Sequence, residues 1–160
     1  GVQTCALPIS MDESFPDVMN YVESHYKVGK DKAHRAICGL SMGGGHSFDI
    51  SRRFPNKFDY VGLFSAGLHV GKTGDFRSDF YKMLQEDEEA KQQLATLFKN
   101  KPKLYWIGMG KTDFLYKSTA GLRRYFDEKG YKYTYMETEG GHIWRNWRVY
   151  LTEFAQKIFK

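Results

Sequence analysis

The pentapeptide Gly39-Leu40-Ser41-Met42-Gly43 constrains this chain more than any other stretch of it. A serine with a glycine two residues away on each side suits a sharp, strained turn from a strand into a helix, which holds the hydroxyl clear of the backbone. On this reading both glycines are required because neighbouring backbone leaves no room for side chains. With 16 Gly in 160 residues the pattern alone arises too readily to decide the matter, and its surroundings give it weight. Residues 34–40 read as a short buried strand. Gly43, Gly44 and Gly45 then open a helix that runs through Phe48, Ile50 and Phe54 and is stopped by Pro55. Ser41 is therefore the candidate nucleophile.

The rest of the chain keeps the same alternation. Phe15, Val18, Met19, Val22 and Tyr26 fall on one face of a helix, with Asp12 or Ser14 placed to cap its start. Residues 27–32 read as a polar loop. Further strands are expected over 60–65 and 103–109, and a fourth where Tyr131, Tyr133 and Tyr135 alternate. A polar helix over 82–99 buries Leu84, Leu94, Leu97 and Phe98. A second, over 119–129, closes on Gly130, and a final helix carries Trp147, Leu151, Phe154 and Ile158. Strands separated by helices imply an α/β fold with a parallel sheet covered on both faces.

A serine hydroxyl is a poor nucleophile and needs a base within hydrogen-bond reach, itself oriented by a third group. In chains built on this turn the order is serine, acid, histidine. His142, in Glu139-Gly140-Gly141-His142, follows the last strand and is the candidate base. His25 and His34 precede Ser41, His46 lies inside its helix, and His69, after the second strand, is the one rival. Asp113, in Gly110-Lys111-Thr112-Asp113, follows the penultimate strand and is the candidate acid, with helix capping as its plainer role. Asp75 and Asp79 come one strand too early, and Glu137 and Glu139 sit at the histidine's own strand end. The backbone N–H of Met42 is the candidate oxyanion donor. A second donor normally comes from a loop after an earlier strand, and no segment here supplies it.

Other chemistries find little support. The five histidines form no His-Glu-x-x-His and no Cys/His pairing at zinc spacing, so neither a metal nor a cofactor is expected. Cys5 and Cys38 define no disulfide framework. The net charge of +5 is scattered over the surface, which argues against nucleic-acid binding, and no apolar run is long enough to span a membrane. An aromatic content of 16% suits a packed sheet or a pocket for an aromatic or sugar ligand.

From Phe15 onward the chain resembles the esterase D family, and within it carbohydrate esterase family one, which includes feruloyl and acetyl xylan esterases. The matching residues are Gly39-Leu40-Ser41-Met42-Gly43-Gly44, Phe64-Ser65-Ala66-Gly67, Gly110-Lys111-Thr112-Asp113 and Gly140-Gly141-His142-Ile143-Trp144. The resemblance implies a three-layer α/β-hydrolase fold of which only the C-terminal strands and helices are present. It places nucleophile, acid and base on Ser41, Asp113 and His142. It also implies a substrate-lining role for Trp144 and, less firmly, for Trp147, whose plainer role is core packing. The implied reaction is hydrolysis of a carboxylic ester through an acyl-enzyme, on feruloyl or acetyl esters of hemicellulose, with export from the cell. S-formylglutathione hydrolysis, acyl transfer to a sugar, a peptidase on the same fold and a non-catalytic carbohydrate-binding relic are the alternatives.

Residues 1–10 stand apart. Gly-Val-Gln-Thr-Cys-Ala-Leu-Pro-Ile matches the in-frame translation of a sequencing-library adapter, so residues 11–160 are taken as the esterase-like part. The strand before Ser41 should then be a sheet edge with unpaired backbone groups. That leads to the expectation that these residues alone fold poorly.

Overall fold

The computed structural model describes residues 11–70 and 79–160, so Cys5, Asp75 and the adapter-like segment lie outside it. Four strands, β1 (Ala36–Leu40), β2 (Tyr60–Phe64), β3 (Leu104–Gly110) and β4 (Thr134–Thr138), form a parallel sheet in chain order. The register pairs Ala36 with Tyr60, Tyr60 with Leu104 and Trp106 with Thr134. The helices are α1 (Met11–His25), α2 (Met42–Arg53), α3 (Phe80–Glu86), α4 (Glu88–Lys99), α5 (Tyr116–Lys129) and α6 (Trp144–Ala155).

Period-two alternation sends strand side chains into two separate cores. Val61, Leu63, Tyr105 and Ile107 point to one face, where Phe48, Leu84, Leu94, Leu122 and Phe126 from α2 to α5 cover them. Tyr60, Phe64 and Trp106 point to the other, against Tyr150 and Phe154 of α6. Helices on both faces make three layers, as expected for the α/β-hydrolase class. Each such aromatic removed from water contributes roughly 1.5–3 kcal/mol. The aromatics of α6 fit because the sheet beneath them lacks side chains at Gly62 and Gly108. A Cβ on Gly108 would meet the Trp106 ring at 2.7 Å and Tyr150 at 2.8 Å.

Among the described residues the strand before the nucleophile is an edge: β1 pairs with β2 alone, and its Cys38 and Leu40 are exposed. Beside it, α1 leaves Val18, Tyr21 and Val22 in solvent.

Local departures from the expected elements have identifiable causes. The residues expected as one helix over 82–99 form two, because Asp87 takes an extended conformation (φ −100°, ψ 94°) and caps α4 through the Ala90 N–H. His34 ends a short 3₁₀ turn, Lys32–His34, rather than starting β1. Tyr131 and Tyr133 precede β4 instead of lying in it. Tyr131 stacks on Phe98 at 4.2 Å, anchoring the chain below the sheet before the ladder begins. Ile158 lies beyond α6, whereas Gly130 closes α5 in the left-handed conformation as its position suggested (φ 67°).

Candidate active site

Three loops at the C-terminal ends of β1, β3 and β4 meet at one point. Ser41 is held at φ 54°, ψ −117°, a region that side chains rarely occupy and that requires support from its surroundings. That support is a set of backbone bonds. The Ser41 N–H donates to the Phe64 carbonyl at 2.8 Å, and the Ser41 carbonyl accepts from Gly67 at 2.8 Å and Gly45 at 3.2 Å. The turn is thereby tied to the end of β2.

The two flanking glycines differ in what they avoid. A Cβ on Gly39 would lie 2.3 Å from the carbonyl carbon and oxygen of Gly43 and 2.9 Å from the Gly44 nitrogen. At Gly43 nothing lies within 4 Å, so collision does not explain that glycine, contrary to the expectation for both. Close approach is instead required at Gly45, where a Cβ would sit 2.3 Å from the Gly67 carbonyl oxygen. Gly39→Ala is therefore expected to destabilise the protein by about 3 kcal/mol, the upper end for overpacking. Gly43→Ala should stay within about 1 kcal/mol of the parent by the same reasoning. Thermal melting of both variants checks this, and a Gly39→Ala melt matching the parent would contradict it.

The structure brings Ser41, His142 and Asp113 into a single hydrogen-bonded chain. Ser41 Oγ lies 2.9 Å from His142 Nε2. His142 Nδ1 lies 3.0 Å from Asp113 Oδ2 and 3.2 Å from Oδ1. The Asp113 side chain is fully buried and also accepts from the Leu115 N–H at 2.9 Å, while the imidazole is 17% exposed. A carboxylate facing Nδ1 puts the ring proton there and leaves the Nε2 lone pair toward the hydroxyl. Met42 is the first residue of α2, so its N–H is among those the helix itself leaves without a partner.

Two ring contacts hold the imidazole and were not foreseen as such. Phe114 lies 4.7 Å from His142 centroid to centroid, and Trp147 meets it edge-on at 4.9 Å. Trp147 also packs against the core under α6, which is its plainer role, and like Trp144 it is not among the residues lining the cavity beside Ser41. Trp144 is 70% exposed, touches Trp147 at 5.2 Å, and is not among the residues lining the cavity beside Ser41.

That cavity, about 410 Å³, is lined by Ser41, Met42, His46, Gly67, His69, Phe114 and Leu115. The imidazole at Ser41 Oγ is that of His142, not that of the rival base His69. His69 Nε2 lies 3.6 Å from Asp49 Oδ2, and His46 Nδ1 lies 3.0 Å from Asp12 Oδ1. Burial pushes the Asp49 carboxyl up, and the Arg52 guanidinium, bonded to it at 2.6 Å, opposes the shift. Among the described residues no group of His, Cys, Asp and Glu could hold a metal, and no helix is long and apolar enough to cross a membrane.

Comparison with known proteins places this geometry in context. The esterase family model matches residues 16–158. An acetyl esterase of Caldicellulosiruptor saccharolyticus is 23% identical over 164 residues, covering 90% of this chain and 61% of that protein. An endo-1,4-beta-xylanase/feruloyl esterase of Xylanibacter ruminicola is 28% identical over 156 residues, covering 95% of this chain and 17% of that protein. A solved ferulic acid esterase superposes with a TM-score of 0.68 at 26% identity, covering 88% of this chain and 58% of that one. The chain thus spans at most about three fifths of the relatives it matches.

Proposed function

Because the chain belongs to the esterase family, whose model matches residues 16–158, we propose that it carries the catalytic machinery of a serine carboxylic ester hydrolase. The observation that supports this most is the unbroken chain from Ser41 Oγ through His142 to the buried Asp113, with a serine backbone strained at the head of a helix. Ser41 Oγ attacks the ester carbonyl carbon as His142 Nε2 takes its proton. The Met42 N–H donates to the developing oxyanion. His142 then protonates the departing alcohol, leaving an acyl group on Ser41. Water, deprotonated by His142, attacks that acyl-enzyme and releases the acid. Throughout, Asp113 fixes the imidazole tautomer and stabilises its charged form.

The substrates we propose are acetyl or feruloyl esters of hemicellulose. The relatives named acetyl esterase and xylanase/feruloyl esterase support this. The test is a panel of acetylated and feruloylated xylo-oligosaccharides, with S-formylglutathione as a contrasting thioester, given to the folded full-length protein. Turnover of at least one xylo-oligosaccharide ester is the expected result. Cleavage of S-formylglutathione alone would move the substrate class, and binding without turnover would mean a carbohydrate-binding relic.

A further inference from the structure

The loops that carry Asp113 and His142 are fastened to each other by their backbones. The Lys111 N–H donates to the Thr138 carbonyl at 2.9 Å, and the Thr112 N–H donates to the Gly140 carbonyl at 3.1 Å. The loops run so close that a Cβ on Gly110 would lie 2.4 Å from the Gly140 oxygen and 3.0 Å from the Gly141 oxygen. Those two bonds reach only to Gly140, two residues short of the base.

Asn146 holds the stretch that follows. It lies in the first turn of α6, is 3% exposed, and its Nδ2 donates to the Gly141 carbonyl at 3.0 Å. The same nitrogen would meet a Gly110 Cβ at 2.9 Å, so the amide sits between the end of β3 and the histidine loop. A buried amide costs free energy unless it is bonded, and asparagine is a poor helix former. Neither burial nor helix propensity therefore accounts for an asparagine here, whereas the bond to residue 141 does.

The position of that bond matters. The Gly141 carbonyl belongs to the planar peptide that ends in the His142 nitrogen. Holding its oxygen fixes the plane from which the histidine side chain projects. On the other side, the Asn146 backbone N–H donates to the Ile143 carbonyl at 3.1 Å. One residue thus grips the chain immediately before and immediately after His142. Phe114 and Trp147 confine the imidazole ring, and Asn146 anchors the backbone that presents it.

Resting on the ester-hydrolase reading, we infer that Asn146 is a positioning residue for His142, setting the imidazole between Asp113 and Ser41. The experiment follows 4-nitrophenyl acetate hydrolysis, thermal melting and the proton NMR spectrum in the full-length protein. The variants are Asn146→Leu, which keeps the branched shape without a donor, and Asn146→Ala. In both, kcat and kcat/KM should fall together by about a hundredfold, the cost of misplacing a catalytic group by about 1 Å. KM should stay within about twofold of the parent, as for an interaction that acts only in the transition state. The far-downfield resonance of the His142 Nδ1 proton shared with Asp113 should weaken or vanish. A residue that only stabilised the fold would leave kcat and that resonance at their parent values in folded molecules. Folded variants with kcat within about twofold of the parent, or with an unchanged resonance, overturn the assignment while leaving ester hydrolysis intact. Loss of folding in both variants also overturns it, since Asn146 would then serve the fold alone. A parent that does not cleave the ester overturns the ester-hydrolase reading itself, and this inference with it.

Discussion

Ser41→Ala is expected to lower ester turnover by at least about a thousandfold, because the acyl-enzyme route disappears with the hydroxyl. Ser41 is the hydroxyl bonded to His142 Nε2, and its position is set by backbone bonds rather than by its side chain. Removing one oxygen therefore leaves the turn and the cavity as they are. What survives is the acceleration supplied by binding and by the Met42 N–H, which falls well short of the covalent route. Steady-state turnover of a chromogenic ester, with melting curves to verify the fold, measures this. Near-normal activity in a folded Ser41→Ala protein would remove Ser41 from the mechanism.

Asp113→Asn should cost on the order of ten thousandfold, without changing the shape of the site. The carboxylate accepts from His142 Nδ1 and from the Leu115 N–H. An asparagine can still satisfy Leu115 through its carbonyl, but its NH₂ then faces Nδ1 and forces the proton to Nε2. The imidazole would donate to Ser41 instead of accepting from it, and the base is lost. The effect should appear in kcat, with the protein still folded. A loss of less than tenfold would reassign Asp113 to capping the segment before α5.

Much of the fold was legible because strands and helices announce themselves by different periods. The four-strand alternation, the helix after Ser41 and the left-handed stop at Gly130 all follow from local chemistry. What escaped has local explanations. The polar stretch over 82–99 hides a break because Asp87 followed by Glu88 and Glu89 reads equally as helix surface and as helix start. The alternating Tyr131 and Tyr133 obey strand spacing, yet tertiary packing on Phe98 and Phe126 decides where pairing begins.

The site shows the same division. The Gly39–Gly43 turn, the loops after the last two strands and the chain order together pointed to Ser41, Asp113 and His142, and the structure brings those three together. Phe114 against the imidazole, and the Asp12 and Asp49 braces, are contacts between separate segments that carry no short-range signature. Trp147 had a signal in hindsight: it lies in the first turn of α6, nearest the histidine loop, while Tyr150 and Phe154 continue the stripe over the sheet.

The strand order carries a consequence for how such a molecule is assembled in time. Each strand pairs with its sequence neighbour, so the sheet can grow one βα unit after another with modest loop-closure cost. The bond between Ser41 and His142, by contrast, joins residues 101 positions apart and opposite ends of that sheet. It can form only when β4 and its loop are in place. On a ribosome, or on dilution from denaturant, helices and most of the core precede it, and competence for chemistry is among the last properties the chain acquires.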